Sequence, residues 1–479
     1  MIRLVVGPQR VSLETPALGP LGARLNPTPE DMAWLTGFLA FRVTEWQGGR
    51  PESKTIPLCA RDGSFPGGLL KLVEAGAAEA RVNITVRDAR IAPCRADYRA
   101  DIGWLRPYQV EALHAIDLNI RGIVKIGTGG GKGELVAALP KFIPTNWTVL
   151  VHRSHLLADL ASRFEKRTGE KAGRIGAGVW DQQRVTFATL ATLSENLDRA
   201  KPLFDITRGV IVDECHVAAA ATHADVLEHF RNAHWYVGLS GTPLARGDRR
   251  SILVVAHLGP MIYEVTATEL IEMGSIQEPR IRMIACPHEA GDDGELLSLP
   301  WHELYQRAIV KNDYRNALIT RALVRSPGPR MAFVTDLAHG DDLTGRLHKQ
   351  GMRVRFAKGD LSLDQRQEVI AALKSGALDA AVATSIFNEG VDIPCLRTVG
   401  IAAGMKAVIP AIQRVGRVTR TQEGKEGCDV WDIDDRGHPT LEQHARARRR
   451  AYIKEGYKVE TQDIPVFSDS SGQGTLPGT

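Results

Sequence analysis

Aromatic side chains are scarce in this chain: Phe, Trp and Tyr together make up 6% of its 479 residues. Cysteine is scarcer still, with six residues at positions 59, 94, 215, 286, 395 and 428. None belongs to a CxxC pair, and neighbouring cysteines stand at least 33 positions apart. That spacing argues against a zinc site and a disulfide framework, and fits small buried hydrophobes in a reducing compartment. No apolar run approaches the roughly 18–20 residues of a membrane-spanning helix. The opening Met1-Ile2-Arg3-Leu4-Val5-Val6-Gly7-Pro8 is too short an apolar stretch for a secretory signal. A cytoplasmic protein without a membrane partner is expected. A net charge of +4, from 60 Lys and Arg against 56 Asp and Glu, identifies no polyanionic partner by itself.

What is present is ordinary globular sequence, 43% hydrophobic and 24% charged, which excludes wholesale disorder and a fibrous fold. The length suggests roughly two to four domains. Residues 1–95 carry no chemical motif. They hold short β-like runs (Arg3–Val6, Arg81–Val86), a helix predicted over Pro29–Phe41, and four aromatics, Trp34, Phe38, Phe41 and Trp46, expected to form a small core. This first zone reads as a small α/β accessory domain, nearly balanced in charge, with 13 Lys and Arg against 10 Asp and Glu in residues 1–100.

From 96 to 280, short apolar runs alternate with helical stretches: Gly122–Ile126, Thr148–Val151, Arg184–Ala188, Gly209–Val212 and Trp235–Leu239. Unbroken apolar runs of this kind are how buried parallel strands read. The rhythm restarts near 315 with Arg330–Val334, Arg353–Phe356, Ala380–Ala383 and Thr398–Ile401, and a helix at Leu363–Leu373 lies between the second and third of these. The fold class is therefore α/β, with two tandem doubly wound parallel sheets over 96–280 and 281–458. The polar, Gly- and Ser-rich 459–479 is expected to be a disordered tail.

Two segments carry chemistry. Ile123-Val124-Lys125-Ile126-Gly127-Thr128-Gly129-Gly130-Gly131-Lys132-Gly133 runs from a strand through a Gly-rich loop into a helix. The absence of Cβ atoms lets successive backbone N–H groups converge on an anion. The helix presents its positive end to the same spot, and Lys132 can reach β- and γ-phosphates. The match to a phosphate-binding loop departs at Ile126, where Gly is usual, and at Gly133, where Ser or Thr would supply a hydroxyl for Mg²⁺. About 80 residues on, Gly209-Val210-Ile211-Val212-Asp213-Glu214-Cys215-His216 is an apolar strand ending in two carboxylates. At the carboxyl edge of a parallel sheet these face the ligand crevice. Asp213 is the candidate Mg²⁺ ligand, and Glu214 the residue that orients and deprotonates an attacking water.

The order of motifs resembles that of superfamily 2 helicases and DNA translocases. Leu105-Arg106-Pro107-Tyr108-Gln109 precedes the loop, as the adenine-reading element does in that family. Val151-His152-Arg153-Ser154-His155-Leu156 and Val185-Thr186-Phe187-Ala188-Thr189-Leu190 resemble DNA-contacting motifs. Asp213-Glu214-Cys215-His216 is similar to a DEAH-type motif, and Ser240-Gly241-Thr242-Pro243 to the coupling motif after it. Ala383-Thr384-Ser385-Ile386-Phe387-Asn388-Glu389-Gly390-Val391-Asp392-Ile393-Pro394 and Gln413-Arg414-Val415-Gly416-Arg417-Val418-Thr419-Arg420 resemble the two late motifs. The resemblance covers about 100–458. Its wording is that of the XPB, RecG and type III restriction branch, and it is most similar to phage helicases of the UvsW type.

The resemblance implies two RecA-like domains with ATP and Mg²⁺ in the cleft between them. Gln109, supported by Arg106, would read adenine. Thr128, Gly129, Gly130, Gly131, Lys132 and Gly133 would wrap the phosphates. Ser240 and Thr242 would relay nucleotide state, and His216 would couple the acidic motif to the cleft. Gly390, Asp392 and Gln413 would complete the nucleotide site, and Arg417 and Arg420 would act as arginine fingers. Arg153, Thr189 and Thr384 would hold DNA phosphates. The run Arg446, Arg448, Arg449, Arg450, Lys454 and Lys458 reads either as a nonspecific DNA contact or as a solvated helix face.

The leading reading is an ATP-driven motor on branched, forked or partly duplex DNA, working as a monomer with 3′→5′ polarity in recombination, repair or replication, and located in the host cytoplasm if phage-encoded. Two others stand beside it: the translocating subunit of a restriction system, and an ATP-gated nucleic-acid binding or annealing protein that separates no strands. The missing hydroxyl at Gly133 favours the last.

Overall fold

The computed structural model describes residues 2–6, 10–13, 29–47, 50–88, 94–243, 251–288, 295–359, 361–384, 393, 395–406, 415–416, 419, 425 and 427–462. The chain forms two compact units, Met1–Thr266 and Ala267–Thr479.

The first unit contains a four-stranded sheet, a two-stranded ribbon and an eight-stranded sheet. The small sheet is built from β1 (Ile2–Val6), β2 (Arg10–Leu13), β5 (Phe65–Pro66) and β6 (Ile84–Asp88), in the order β5-β2-β1-β6. The ribbon pairs β3 (Ala40–Gln47) with β4 (Arg50–Pro57) in antiparallel register. The core under the small sheet is aliphatic, with Ile2, Leu4, Val6, Val11, Leu35, Leu39, Leu69 and Val73 around Phe65. Trp34, Phe38 and Phe41 only flank it, and the Trp46 side chain lies outside the described residues. The expected aromatic core is thus an aliphatic one, because the inward face of β1 supplies three branched side chains at the strand period of two.

This small domain rests on the helix Ser251–Leu258. Val254 and Leu258 enter the core of the eight-stranded sheet, while Ala256 enters the core of the small one. Gly68 makes the contact close, since a Cβ there would stand 2.1 Å from the Val255 carbonyl oxygen.

The eight-stranded sheet has the order β10-β9-β11-β8-β12-β13-β7-β14. Its strands are β7 (Arg121–Ile126), β8 (Trp147–Val151), β9 (Gly173–Gly176), β10 (Val179–Asp181), β11 (Val185–Thr189), β12 (Gly209–Asp213), β13 (Trp235–Ser240) and β14 (Met261–Val265). All pairings are parallel except β9 with β10. Strands β8, β11, β12 and β13 are buried at every position, which explains their largely apolar sequence.

The second unit carries a seven-stranded, wholly parallel sheet in the order β17-β18-β16-β19-β20-β15-β21. Its strands are β15 (Pro279–Pro287), β16 (Arg330–Phe333), β17 (Val354–Ala357), β18 (Ala380–Ala383), β19 (Thr398–Ile401), β20 (Cys428–Arg436) and β21 (Val459–Gln462). The two tandem parallel α/β sheets expected from the sequence are present, with a small α/β accessory sheet before them. Among the described residues, no helix is long and apolar enough to cross a membrane. None of the six cysteines forms a disulfide; Cys215, Cys286 and Cys428 are buried and Cys94 is exposed.

Candidate nucleotide site

The strand order β12-β13-β7 at the middle of the first large sheet sets three carboxyl ends side by side. The Gly-rich loop follows β7, Asp213 ends β12 with Glu214 next to it, and Ser240 ends the strand between them, with Gly241-Thr242 beyond. Chain crossings reverse around β7, and such switch points are where open α/β sheets bind ligands.

Within the loop, Gly129 and Gly131 adopt φ of +92° and +79°, values an L side chain rarely takes. Gly131 caps the helix Lys132–Phe142, so the loop's N–H groups and the helix's positive end share one concavity. Glu134, on the first turn, binds Arg163 at 2.8 Å and Arg167 at 2.7 Å. Those two arginines outweigh its partial burial and hold its carboxyl below the usual range. Gly133 faces the same helix: a Cβ there would stand 3.2 Å from Arg163 Cδ and 3.3 Å from a methyl of Leu160. The glycine that replaces the usual hydroxyl residue is therefore also a close-packing contact between Lys132–Phe142 and Ser154–Thr168.

Lys132 Nζ lies 3.8 Å from Glu214 Oε1. The other Glu214 oxygen accepts from Ser240 Oγ at 2.8 Å and stands 3.5 Å from His216 Nδ1. Thr242 N–H donates to Ser240 Oγ at 3.1 Å, which fixes that hydroxyl in turn. Gly241 lets the loop come close, because a Cβ there would stand 3.0 Å from Thr128 Oγ1. Glu214 itself has φ +48° and ψ +55°, a strained backbone for a residue with a side chain.

The two carboxylates differ electrostatically. Burial, followed by the neighbouring Glu214 charge, pushes Asp213 up to about 6. Burial would raise Glu214 too, but the Lys132 ammonium, His216 and the Ser240 hydroxyl outweigh it and hold the group low. A buried, poorly compensated carboxylate next to a phosphate-binding loop is a donor suited to a hard divalent cation.

A stability consequence follows from the raised group. A carboxyl whose folded pKa lies above its ordinary 3.8 stabilises the fold while protonated, below about pH 3.8, and that contribution is lost as pH rises through about 6. Above that pH the buried charge opposes folding. Asp213→Asn should therefore stabilise the metal-free protein by about 1–3 kcal/mol at neutral pH and flatten the rise in melting temperature on acidification between about pH 7 and 4. Thermal melts in chelator across that range check this; a variant less stable than wild type at neutral pH would refute it.

The RPYQ element opens the helix Pro107–Asn119. Arg106 is exposed at its N-cap. Gln109, expected to face an adenine edge, is only 2% exposed and turns into the loop. Its Nε2 donates to the Gly130 and Gly131 carbonyls at 3.2 and 3.1 Å, and its Oε1 accepts from Arg106 N–H at 2.9 Å. Arg153 is exposed at the carboxyl edge of β8, its Nε on His152 Nε2 at 3.2 Å. Thr189, at the end of β11, is 4% exposed and N-caps the helix Leu190–Glu195. Thr384, just past β18, is 7% exposed, and its hydroxyl has no partner among the described residues. Gly390, Asp392, Gln413, Arg417 and Arg420 lie outside the described residues.

Sequence reading missed Tyr108, whose hydroxyl donates to the Gly130 carbonyl at 2.7 Å. It also read Arg448 with the exposed basic run. Arg448 is 1% exposed and paired with Asp432 in the core of the second unit, so it is neither a DNA contact nor part of a solvated face. Nearby, Cys286, His288 and Asp435 place donor atoms within 4.8 Å of one another. Arg315 Nε and His288 Nε2 already occupy Asp435 at 2.8 and 2.9 Å, and burial pushes the Cys286 thiol up to about 12. This is an ion-pair network rather than a cation site.

Residues 103–245 match the family described as "Type III restriction enzyme, res subunit", and residues 314–422 match "Helicase conserved C-terminal domain". The chain is 24% identical over 342 residues to the ATP-dependent DNA helicase uvsW of Enterobacteria phage T4, covering 68% of each protein. It is 23% identical over 359 residues to the putative ATP-dependent helicase IRC3 of Saccharomyces cerevisiae, covering 69% of this chain and 51% of the relative. The chain thus spans about half to two thirds of the length of these relatives. The fold is also that of a fragment of a putative HsdR subunit of a type I restriction enzyme from Vibrio vulnificus, with TM-score 0.56 and 17% identity over 89% of this chain and 92% of that one.

Proposed function

Since this chain belongs to the superfamily 2 helicases, we propose that it is a DNA-stimulated ATPase that uses hydrolysis to move along and remodel branched or partly duplex DNA. The observation that carries this reading is the side-by-side placement of the Gly-rich loop, Asp213-Glu214 and Ser240 at three adjacent strand ends.

The loop's N–H groups and Lys132 take the β- and γ-phosphates of ATP. Asp213 is the residue to hold Mg²⁺, which when bound neutralises phosphate charge. Glu214 orients the attacking water and accepts its proton, and Ser240 fixes the carboxylate in place. Lys132 lies 3.8 Å from Glu214, so a phosphate that takes up the ammonium leaves the carboxylate to its water. Arg417 and Arg420 have the part of arginine fingers, whose planar fork matches phosphate oxygens. Arg153, Thr189 and Thr384 mark the DNA-contacting edges. The relatives' names support DNA as the partner; branched structure, monomeric action and a phage role are part of the proposal.

A second reading, an ATP-gated binding protein without strand separation, is favoured by Gly133, which offers no hydroxyl to a metal. ATP turnover with and without forked DNA, wild type beside Lys132→Ala, separates the two. The motor reading expects turnover stimulated by DNA and lost in the variant. ATP binding without turnover in wild type would favour gated binding.

A further inference from the structure

The helix Ser251–Leu258 is apolar on both sides because it serves two cores. Its last turn is gripped from two directions. Gly68, in the accessory domain's turn Gly67–Leu69, comes so close that a Cβ there would stand 2.1 Å from the Val255 carbonyl oxygen. It would also stand 2.6 Å from the Ala256 carbonyl oxygen and from Gly259 N. From β7, Arg121 Nη1 donates to the His257 carbonyl at 2.9 Å. Leu258 projects from this fixed turn and meets Cys215 over Gly238. A Cβ on Gly238 would stand 2.8 Å from Leu258 Cδ1 and 3.0 Å from Cys215 Cβ and Sγ. Leu258 and Cys215 are both 0% exposed.

This packing lies directly behind the hydrolytic pair. Cys215 follows Glu214 in the chain, and Gly238 stands two positions before Ser240, on the same face of β13. Ser240 Oγ donates to Glu214 at 2.8 Å. The left-handed backbone of Glu214 persists only where its surroundings over-determine it. The buried strand β12 fixes it on one side. On the other side, Cys215 fixes it, wedged where Gly238 and Leu258 come together.

We propose that Leu258 is a positioning residue for Glu214, and that through it the docked accessory domain sets the rate of ATP hydrolysis. The inference rests on the reading of Glu214 as the residue that activates water. Leu258 is fully buried, so it acts through Cys215 and Gly238 alone.

The test is steady-state ATP turnover of the full chain with forked DNA, for wild type, Leu258→Ala, Leu258→Met, Gly68→Ala and Glu214→Gln, with thermal melts giving the folded fraction of each. Leu258→Ala should lower kcat by about tenfold and leave KM for ATP unchanged, because the base is displaced while the phosphate contacts stay intact. Leu258→Met keeps the side-chain volume and should recover most of the rate. Gly68→Ala forces the accessory domain off the turn and should lower kcat in the same way. Where Leu258→Ala does not fold, Leu258→Val takes its place, with a smaller loss of the same kind expected. A folded truncation of Leu258 with wild-type kcat would overturn the inference, as would a loss carried entirely by KM. Wild-type kcat in folded Gly68→Ala would overturn the part given to the accessory domain. Glu214→Gln separates this from failure of the functional reading. If it abolishes turnover while the Leu258 truncation does not, only the present inference falls. If Glu214→Gln turns over like wild type, the role of Glu214 falls and this inference with it.

Discussion

Glu214→Gln should lower ATP turnover by at least about two orders of magnitude while nucleotide binding persists. The side chain is 16% exposed, and its two oxygens are held separately, one facing Lys132 at 3.8 Å and the other on Ser240 at 2.8 Å. Glutamine keeps the shape and can still accept from Ser240, but it cannot accept a proton from water. Its neutrality has two side effects of predictable sign. Lys132 loses its ionic partner, so its ammonium is freer for phosphate and ATP affinity should hold or rise. Asp213 loses the like charge that, after burial, helps push it up to about 6, so its carboxyl should titrate lower. Steady-state turnover beside a direct binding measurement separates these effects. Turnover within about threefold of wild type would remove Glu214 from the role of base.

Much of this site was legible in the sequence because its parts are local. A strand, a Gly-rich loop and a helix start are one continuous segment, and strand ends bearing acids are another. Their spacing through parallel strand–helix units places them on one sheet edge. The central strands were legible for a related reason: β12 and β13 are buried at every position and read as unbroken apolar runs.

The strands that escaped notice break this rule. β20, Cys-Asp-Val-Trp-Asp-Ile-Asp-Asp-Arg, buries Asp429, Asp432 and Asp435, all less than 5% exposed, so its pattern looks like a loop. Those acids are tolerated only because Arg280 and Arg282, Arg448, and Arg315 reach them from elsewhere. Sequence spacing cannot reveal partners brought together by the fold. The same holds for Gly133, whose close neighbour Arg163 comes from the next helix. Arg448, by contrast, did leave a signal. Leu441, Ala445, Arg448 and Tyr452 fall on one helix face at spacings of four, three and four, and all four are buried. An arginine on an apolar stripe belongs with the core, not with the basic run around it.

That placement sets the second large effect. Arg448→Ala should destabilise the second unit by about 3–5 kcal/mol, the cost of leaving a buried charge without its partner. Asp432 is 0% exposed and Arg448 1%. The guanidinium binds both Asp432 oxygens, at 2.8 and 3.0 Å, and the carbonyls of Ile433 at 2.8 Å and Met405 at 3.0 Å. Without it, the carboxylate keeps the Tyr452 hydroxyl at 2.9 Å and the Ile433 N–H at 2.7 Å, two neutral donors against a full buried charge. Replacing both partners by apolar residues of similar size, Arg448→Met with Asp432→Leu, should recover much of the loss, because no charge is then stranded. Arg446, Arg449 and Arg450 should each be worth less than about 0.5 kcal/mol as alanine. Urea denaturation, followed separately for the two units, gives these values. DNA binding against salt gives the complementary reading: alanine at an exposed arginine that contacts phosphate lowers the salt slope by about 1, whereas folded Arg448→Ala leaves the slope unchanged because its guanidinium never meets solvent. A loss below about 1 kcal/mol, or a reduced salt slope in the folded variant, would return Arg448 to the DNA-facing surface.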